Sequence, residues 1–137
     1  MDQGYSQKPL SEKLGIKENS RVIFLNCPPH LITLITLNIP NSILIENDLE
    51  GQFDFIQFFA QDKAELEKNF PHLKKFLKPN GALWISWKKK GPHSLGDLSE
   101  NKVQEIGLQN GLVDVKVVSI DDIWSGLKFV FRVKDRN

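Results

Sequence analysis

The stretch that most constrains the fold lies between residues 53 and 88. An apolar run at Phe53–Ala60 is followed by an amphipathic helix, a Pro-Asn-Gly turn and a second apolar run at Ala82–Lys88. Asp62 and Glu65 have the spacing of a capping box, which marks where the helix begins. Near-continuous apolar runs are typical of strands covered on both faces in a parallel sheet. The segment therefore predicts a strand–helix–strand unit of an α/β fold.

Two strands are predicted ahead of this unit, whose own strands are then β3 and β4. Arg21–Cys27 is a nearly continuous apolar run and forms the first strand, β1, while Ile43–Glu46 forms β2. The segment between them opens with Pro28 and Pro29 and spaces its apolar residues by about three, which favours a crossover helix. Residues 1–20 are expected to form an arm that packs on the core.

A helix and a hairpin are predicted after the unit. Ser99 is suited to cap the helix and Gly111 to end it. Val113–Ile120 and Leu127–Lys134 then form β5 and β6, joined by the loop Asp121–Gly126. The chain is therefore expected to be one domain, 1–137, built around one core.

The connection between β2 and β3 is unusually short. Only Asn47–Gln52 separates the two strands, and these six residues cannot hold a crossover helix. Fully extended, they reach about 20 Å, which is enough for a bare return loop. Such a loop leaves one sheet face near β2 without a helix, so we expect the N-terminal arm or a partner subunit, as in a homodimer, to cover it.

Charge and composition exclude several classes of protein. Eighteen basic and seventeen acidic side chains leave a net charge of +1, which provides no field for nucleic acid or anionic lipid. Cys27 has no second cysteine to pair with, and His30, His72 and His93 lie in separate segments, so neither a disulfide nor a metal site is expected. No apolar stretch approaches the length of about 18 residues that a membrane span needs, which predicts a soluble, cytoplasmic protein.

Read in order, these elements resemble a class I methyltransferase core shortened by one strand–helix unit after β2. Phe53-Asp54 resembles that family's fourth strand, Leu77-Lys78-Pro79-Asn80-Gly81 the turn before its fifth strand, and Asn110-Gly111-Leu112-Val113 the approach to its last hairpin. The resemblance implies a Rossmann-like, mostly parallel six-stranded sheet with helices on both faces. Its strand order would be β2-β1-β3-β4-β6-β5, with β6 antiparallel.

More closely, the whole chain is similar to a family of small bacterial domains of unknown function. The segments that carry this similarity are Gly4-Tyr5-Ser6, Lys13-Leu14-Gly15-Ile16-Lys17, Trp87-Lys88-Lys89, Val113-Asp114-Val115-Lys116-Val117, Ile120-Asp121, Trp124-Ser125 and Lys128-Phe129. This resemblance implies no activity, so the function has to be argued from the residues themselves.

The segment that would hold a methyltransferase cofactor lacks the residues for it. In such sheets a glycine-rich turn follows the first strand, and an acid about twenty residues later binds the ribose. Glu46 lies nineteen residues after Cys27, which fits, but Asn26–His30 contains no glycine and its two prolines remove two N–H donors. We therefore expect no cofactor. S-adenosylmethionine bound near Glu46 and His30 is the alternative, and a merely solvated Glu46 is the simplest reading.

Lysines cluster where β4 ends. Lys88-Lys89-Lys90 leave β4 at the edge of the expected crevice, and Lys128 starts its predicted neighbour β6, so that together they could clamp a phosphate or carboxylate. Trp87 and Trp124 lie close by and could stack a nucleotide base. Solvated lysines and tryptophans that anchor the core are the alternatives.

Loop acids and the single cysteine are the remaining candidates. Asp97, Asp121 and Asp122 are expected to pair with the lysines rather than to catalyse. Cys27 precedes a helix start, a position that can lower a thiol pKa, and His30 is the one base near it in sequence. A small core residue is the alternative reading of Cys27.

The sequence thus predicts a binding or interaction module rather than an enzyme. Its site would be the crevice at the ends of β1, β3 and β4, and its ligand a small anion or a nucleotide. The residues expected to rim this site are Asn26, Lys88, Lys89, Asp121, Trp124 and Lys128. The alternatives are an S-adenosylmethionine-dependent methyltransferase with a divergent cofactor loop, and a structural partner protein that uses the uncovered sheet face.

Overall fold

In a computed structural model, which describes residues 8–37, 39–91 and 96–136, the chain forms a sheet of six strands. Their order is β2-β1-β3-β4-β6-β5. Strands β1 to β4 pair in parallel, and β6 is antiparallel to both of its neighbours. The predicted Rossmann-like order and strand directions are therefore confirmed.

Strands and helices alternate through most of the chain. The strands are β1 (Arg21–Leu25), β2 (Leu44–Glu46), β3 (Phe53–Phe59), β4 (Leu77–Lys88), β5 (Leu112–Ser119) and β6 (Trp124–Phe131). The helices are α1 (Leu10–Leu14), α2 (Pro29–Thr36), α3 (Lys63–Lys75) and α4 (Glu100–Gln109). Within the described residues, none of the helices has the length and apolar character that crossing a membrane would require.

Two apolar clusters, one on each face of the sheet, form the core. On one face, α3 contributes Phe70 and α4 contributes Ile106 to a cluster that includes Phe129 of β6. On the other face, Leu14 of α1 and the buried side of α2 pack on Trp84 of β4. Helices therefore cover both faces, as predicted.

The predicted helix caps are present. Asp62 Oδ1 accepts the Glu65 N–H at 2.8 Å, and Glu65 Oε1 in turn accepts the N–H of Gln61 at 2.7 Å. The reciprocal bond thus goes to the residue before the cap. Ser99 Oγ accepts the Lys102 N–H at 3.3 Å, and Gly111 ends α4 at a φ of 85°. These local signals set where α3 begins and where α4 begins and ends.

The Pro-Asn-Gly segment is not the turn that was predicted. Helix α3 ends at Lys75, and β4 begins already at Leu77. Phe53 pairs with Leu77 and Phe55 with Ala82, so the residues between those partners bulge from β4 opposite Asp54. Gly81 has no positive φ. Glycine is needed there because an added Cβ would lie 2.9 Å from the Phe53 carbonyl oxygen.

The last strand begins earlier than predicted. Strand β6 starts at Trp124 rather than Leu127, so Ser125 and Gly126 belong to the strand and the hairpin loop is short. Gly126 reads as a loop residue in the sequence. Inside the strand its missing side chain leaves room for the Trp84 ring, which an added Cβ would approach to 3.1 Å.

Arg21 lies across part of the face beside β2, although Leu44 and Ile45 of that strand stay largely exposed. Arg21 lies 4.1 Å from the centroid of the Phe53 ring, pairs with Glu46, and donates from Nη1 to the carbonyl oxygen of Gln52 at 3.0 Å. The described part of the arm lies on the opposite face, where the Leu14 carbonyl accepts the Trp84 Nε1–H at 2.9 Å. The described part of the arm, residues 8–20, therefore does not cover this face, and cover by a partner subunit stays a prediction.

We predict that Gly107→Ala destabilises the protein. The new Cβ would lie 2.0 Å from Phe129 Cε1, inside the cluster under α4. Alanine favours an isolated helix by about 1 kcal/mol, whereas overpacking a core costs about 2 kcal/mol or more. Chemical denaturation should therefore show a lower free energy of unfolding. The exposed neighbour Glu105→Ala is the control, and a Gly107→Ala protein as stable as wild type would contradict this packing.

Candidate functional site

A crevice of about 400 Å³ opens at the carboxyl ends of the parallel strands. Strand β1 hydrogen-bonds β2 on one side and β3 on the other, so the direction of the strand order changes beside it. Open α/β sheets bind their ligands at such switch points. Small-molecule sites typically have volumes of about 300–1,000 Å³. The residues that line the crevice are Asn26, Cys27, Pro28, His30, Gln61, Lys88, Ile123 and Trp124.

The corner after β1 is shaped by an asparagine and two prolines. Asn26 leaves the strand at a φ of 59°, a left-handed conformation that asparagine tolerates better than most residues. Pro28 caps α2, its carbonyl oxygen accepts the Leu31 N–H at 2.9 Å, and Pro29 is the first helical residue. Since proline has no N–H, His30 carries the first N–H of the helix. The corner thus offers a ligand few backbone donors.

The thiol of Cys27 is not activated by this corner. Burial raises its pKa to about 12. Sγ lies 3.5 Å from the carbonyl oxygen of Pro28. The effect of burial on the thiol pKa is larger than that of the nearby helix start, so the thiol is protonated at neutral pH. The lowered pKa considered from the sequence is therefore wrong, and Cys27 packs as a small core residue.

Lys88 and Trp124 form the wall opposite β1. They are register partners in the β4–β6 pair, and Lys88 Nζ lies 5.7 Å from the centroid of the Trp124 ring. Trp124 is 4% exposed and packs edge-to-face on Phe59 at 5.1 Å. It is both a core anchor and a wall of the crevice. Lys88 is therefore partly buried and lies within cation–π range of an aromatic ring.

Asp121 supports the crevice from its rim. Its Oδ1 accepts the N–H groups of Ile123 at 2.9 Å and Trp124 at 2.7 Å, which fixes the turn before β6. Its Oδ2 lies 3.7 Å from Nε2 of His30. The predicted pairing of loop acids with lysine side chains is wrong for Asp121, and also for Asp97, whose Oδ1 accepts the backbone N–H at the first residue of α3 at 2.9 Å.

Two of the predicted lysines lie outside the crevice. Lys89 Nζ donates to Ser119 Oγ and to the Asp121 carbonyl oxygen, both at 2.7 Å, so it holds the hairpin together. Lys128 pairs with Trp84, well inside β6, because that strand begins three residues earlier than predicted. It lines a different cavity at the amino ends of the strands. The predicted clamp formed by Lys128 with Lys88 does not exist.

Glu46 also lies outside the crevice. It ends β2 but pairs in register with Ile23, two residues before β1 ends. Its carboxylate makes a two-point ion pair with Arg21, including an Nη2–Oε1 hydrogen bond of 2.9 Å. This hydrogen bond lowers the pKa of Glu46 and raises the pKa of Arg21. The expectation that Glu46 is merely solvated is therefore wrong, and under the methyltransferase alternative the carboxylate that would bind a ribose is already paired with Arg21.

Other aromatic and histidine candidates are placed away from the site. Trp87 is buried in the cluster under α3 and α4, on the opposite sheet face from Trp124. His72 packs on Phe76 with ring centroids 5.1 Å apart. His93, like Gly4-Tyr5-Ser6 of the bacterial resemblance, lies outside the described residues. Of the predicted site residues, the crevice therefore unites Asn26, Lys88 and Trp124 with His30.

Gln61 and Ile123 line the crevice but were not singled out from the sequence. Gln61 lies two residues after the end of β3 and just before the Asp62 cap. Its position just past the carboxyl end of a central strand is the signal that could have identified it. The position of Ile123 in the lining depends on the short hairpin turn before β6, whereas the sequence predicted the longer loop Asp121–Gly126. Gln61 thus adds an amide to a lining that also holds Lys88 and His30.

Comparison with solved structures relates the fold to methyltransferases. A S-adenosylmethionine-dependent methyltransferase from Aquifex aeolicus shares 15% identity over 86% of this chain and 85% of its own, with a TM-score of 0.59. A TehB-like methyltransferase from Corynebacterium glutamicum shares 13% identity over 94% of this chain and 90% of its own, with a TM-score of 0.57. Magnesium protoporphyrin IX methyltransferase from Synechocystis, solved with bound S-adenosylmethionine, shares 12% identity over 90% of this chain and 74% of its own, with a TM-score of 0.58. No protein-family model and no curated protein matches.

These likenesses show the fold. The chain has the methyltransferase-like core expected from its sequence. At identities of 12–15% they do not carry an activity, a cofactor or a substrate to this chain. The resemblance to the small bacterial domains stays a prediction.

We predict that the Glu46–Arg21 pair adds a pH-dependent contribution to stability. Because the folded state lowers the pKa of Glu46 from the ordinary 4.5, its contribution is present above that pH and is lost as pH falls through the lower folded value. Glu46→Gln should therefore be less stable than wild type at pH 7, with the difference shrinking below pH of about 4. Urea denaturation across this range measures it. The exposed Glu67→Gln is the control, and a constant difference would contradict the pairing.

Proposed function

We propose that the protein is a non-catalytic binding module that holds a small anionic ligand in the crevice. The observation that carries this proposal is the charge of the lining. Among the described lining residues, Lys88 and His30 are the ionisable groups that can be cationic, and none is a carboxylate. An anion at the switch point would meet the Lys88 ammonium and the Gln61 amide, with the Trp124 ring behind them.

A carboxylate or phosphate group suits this arrangement because its charge opposes that of Lys88. Asp121 lies at the rim rather than in the lining, and its Oδ1 is already engaged by two backbone N–H groups. Its Oδ2 lies 3.7 Å from His30 Nε2. The protonated Cys27 thiol supplies no nucleophile. These features support binding rather than chemistry.

An S-adenosylmethionine-dependent methyltransferase is the second candidate, and the fold comparisons favour it. Its cofactor would have to occupy the same crevice, beside Asn26 and His30. S-adenosylmethionine carries a positive sulfonium, which Lys88 would repel. Its ribose would need the carboxylate of Glu46, which is paired with Arg21. The observed side chains thus fit this cofactor less well than they fit an anion.

We predict that pyrophosphate, citrate or a nucleotide raises the melting temperature and that S-adenosylmethionine does not. At ten times its dissociation constant, an anion should raise the melting temperature by about 4 °C at constant ionic strength. Lys88→Met should weaken binding by about tenfold or more, because a charge-assisted hydrogen bond is lost. Lys90→Met, an exposed neighbour in the same lysine run, is the matched control.

Calorimetric titration separates the two candidates. Saturable binding of S-adenosylmethionine at micromolar concentration, with no response to any anion, would overturn the proposed function and support the methyltransferase. An anion response that Lys88→Met and Lys90→Met reduce equally would show general ionic screening instead of a site.

A further inference from the structure

A second cavity of about 130 Å³ lies at the other end of the sheet from the crevice. It opens where the parallel strands begin, between the loop after α1 and the bulge in β4. Its polar lining residues include Lys17, Ser20, Asp54, Asn80 and Lys128. None of these residues lines the crevice, so the two cavities are separate.

Lys128 is the unusual residue in this cavity. It belongs to β6, which is hydrogen-bonded to strands on both sides, and its side chain is partly buried. Its ammonium lies near the end of α1, 3.6 Å from where a Cβ on Gly15 would be. Within the described part of the chain, the Lys128 ammonium has no hydrogen bond and no ion pair. A partly buried charge without a partner costs free energy.

Two more lysines add to this cost. Burial lowers the pKa of Lys128, and the ammonium groups of Lys116 and Lys17 lower it further. Lys116 Nζ is held in place by a 2.9 Å hydrogen bond to the Lys13 carbonyl oxygen. Three like charges therefore meet around one small cavity, and a bound anion would relieve their repulsion.

The carboxylate in the cavity wall does not neutralise these lysines. Asp54 Oδ2 accepts the backbone N–H of Arg21 at 2.8 Å and the ammonium of Lys78 at 3.1 Å. Its charge is thus already opposed by Lys78, which is not among the three lysines. The positive charge of Lys17, Lys116 and Lys128 remains without an acidic partner in the wall.

We propose that this cavity binds a phosphate group, at a second anion site independent of the crevice. Lys128 and Lys17 line it and Lys116 lies beside them, while the Ser20 hydroxyl and the Asn80 amide are in the lining as further hydrogen-bond donors. Lysines bind phosphate as point charges, and a phosphate dianion opposes more of their charge than a carboxylate does. The cavity is smaller than the roughly 300 Å³ of typical small-molecule pockets, so it would enclose the phosphate and leave any attached group outside.

Thermal unfolding of the full chain in the presence of inorganic phosphate tests the proposal. At pH 7 and constant ionic strength, phosphate at ten times its dissociation constant should raise the melting temperature by about 4 °C. In a Lys88→Met background, where the crevice no longer contributes, Lys128→Met should abolish this rise. Without phosphate, Lys128→Met should unfold at the same temperature as wild type or higher, because a repelled charge is removed. The exposed variant Lys17→Met, which leaves the core intact, should weaken the response several-fold. Lys102→Met on α4 is the control.

The outcomes separate this site from the crevice. A phosphate response that is kept in Lys88→Met and lost when Lys128→Met is added supports the proposal. A response lost in Lys88→Met and kept in Lys128→Met would place the phosphate in the crevice, overturning this inference and leaving the proposed function intact. Glycerol phosphate tests whether the site takes free phosphate or the phosphate group of a larger molecule. If only the ester stabilises the protein, through Lys128, the phosphate group is part of a larger molecule. No response to either compound would overturn the proposal.

Discussion

The return between β2 and β3 contains no helix, and Arg21 links the strands and the loop at this place in the sheet. The loop Asn47–Gln52 runs back along the sheet from β2 to β3. It contains no helix that could cover the sheet face beside it. The Arg21 guanidinium stacks on Phe53, pairs with Glu46 and binds the carbonyl oxygen of Gln52. One side chain thus joins β1 to β2, to the return loop and to β3.

This use of Glu46 shapes the chemistry at the end of the sheet. In a methyltransferase-like sheet an acid at the end of the second strand would face the ligand, but here it completes the fold. Asp121 is likewise engaged by backbone N–H groups, and Asp54 by Lys78. Glu46, Asp121 and Asp54 thus have structural partners, while Lys88 and Lys128 have no acidic partner among the described residues. A chain with a net charge of +1 can in this way present two local cationic sites.

The sequence predicted the parts of the fold that depend on local signals. Apolar runs located the central strands, and Asp62 and Ser99 located helix starts. The two prolines and the missing glycines indicated the corner after β1 that offers few backbone N–H donors. Pairing details could not be read from the sequence. The position of Lys128 follows from where β6 begins, and the role of Gly81 follows from a bulge against Asp54. Both are decided by contacts between distant segments, which leave no periodic pattern in either one.

We propose that a ligand in the crevice leaves Glu46 bound to Arg21. Amide chemical shifts from ¹H–¹⁵N NMR spectra during titration with pyrophosphate test this, because each amide reports its own surroundings. We expect changes at Gln61, Lys88 and Ile123, with the amides of Glu46 and Asn47 unchanged. Large changes at Glu46 and Asn47 on titration with S-adenosylmethionine, and none with pyrophosphate, would contradict it.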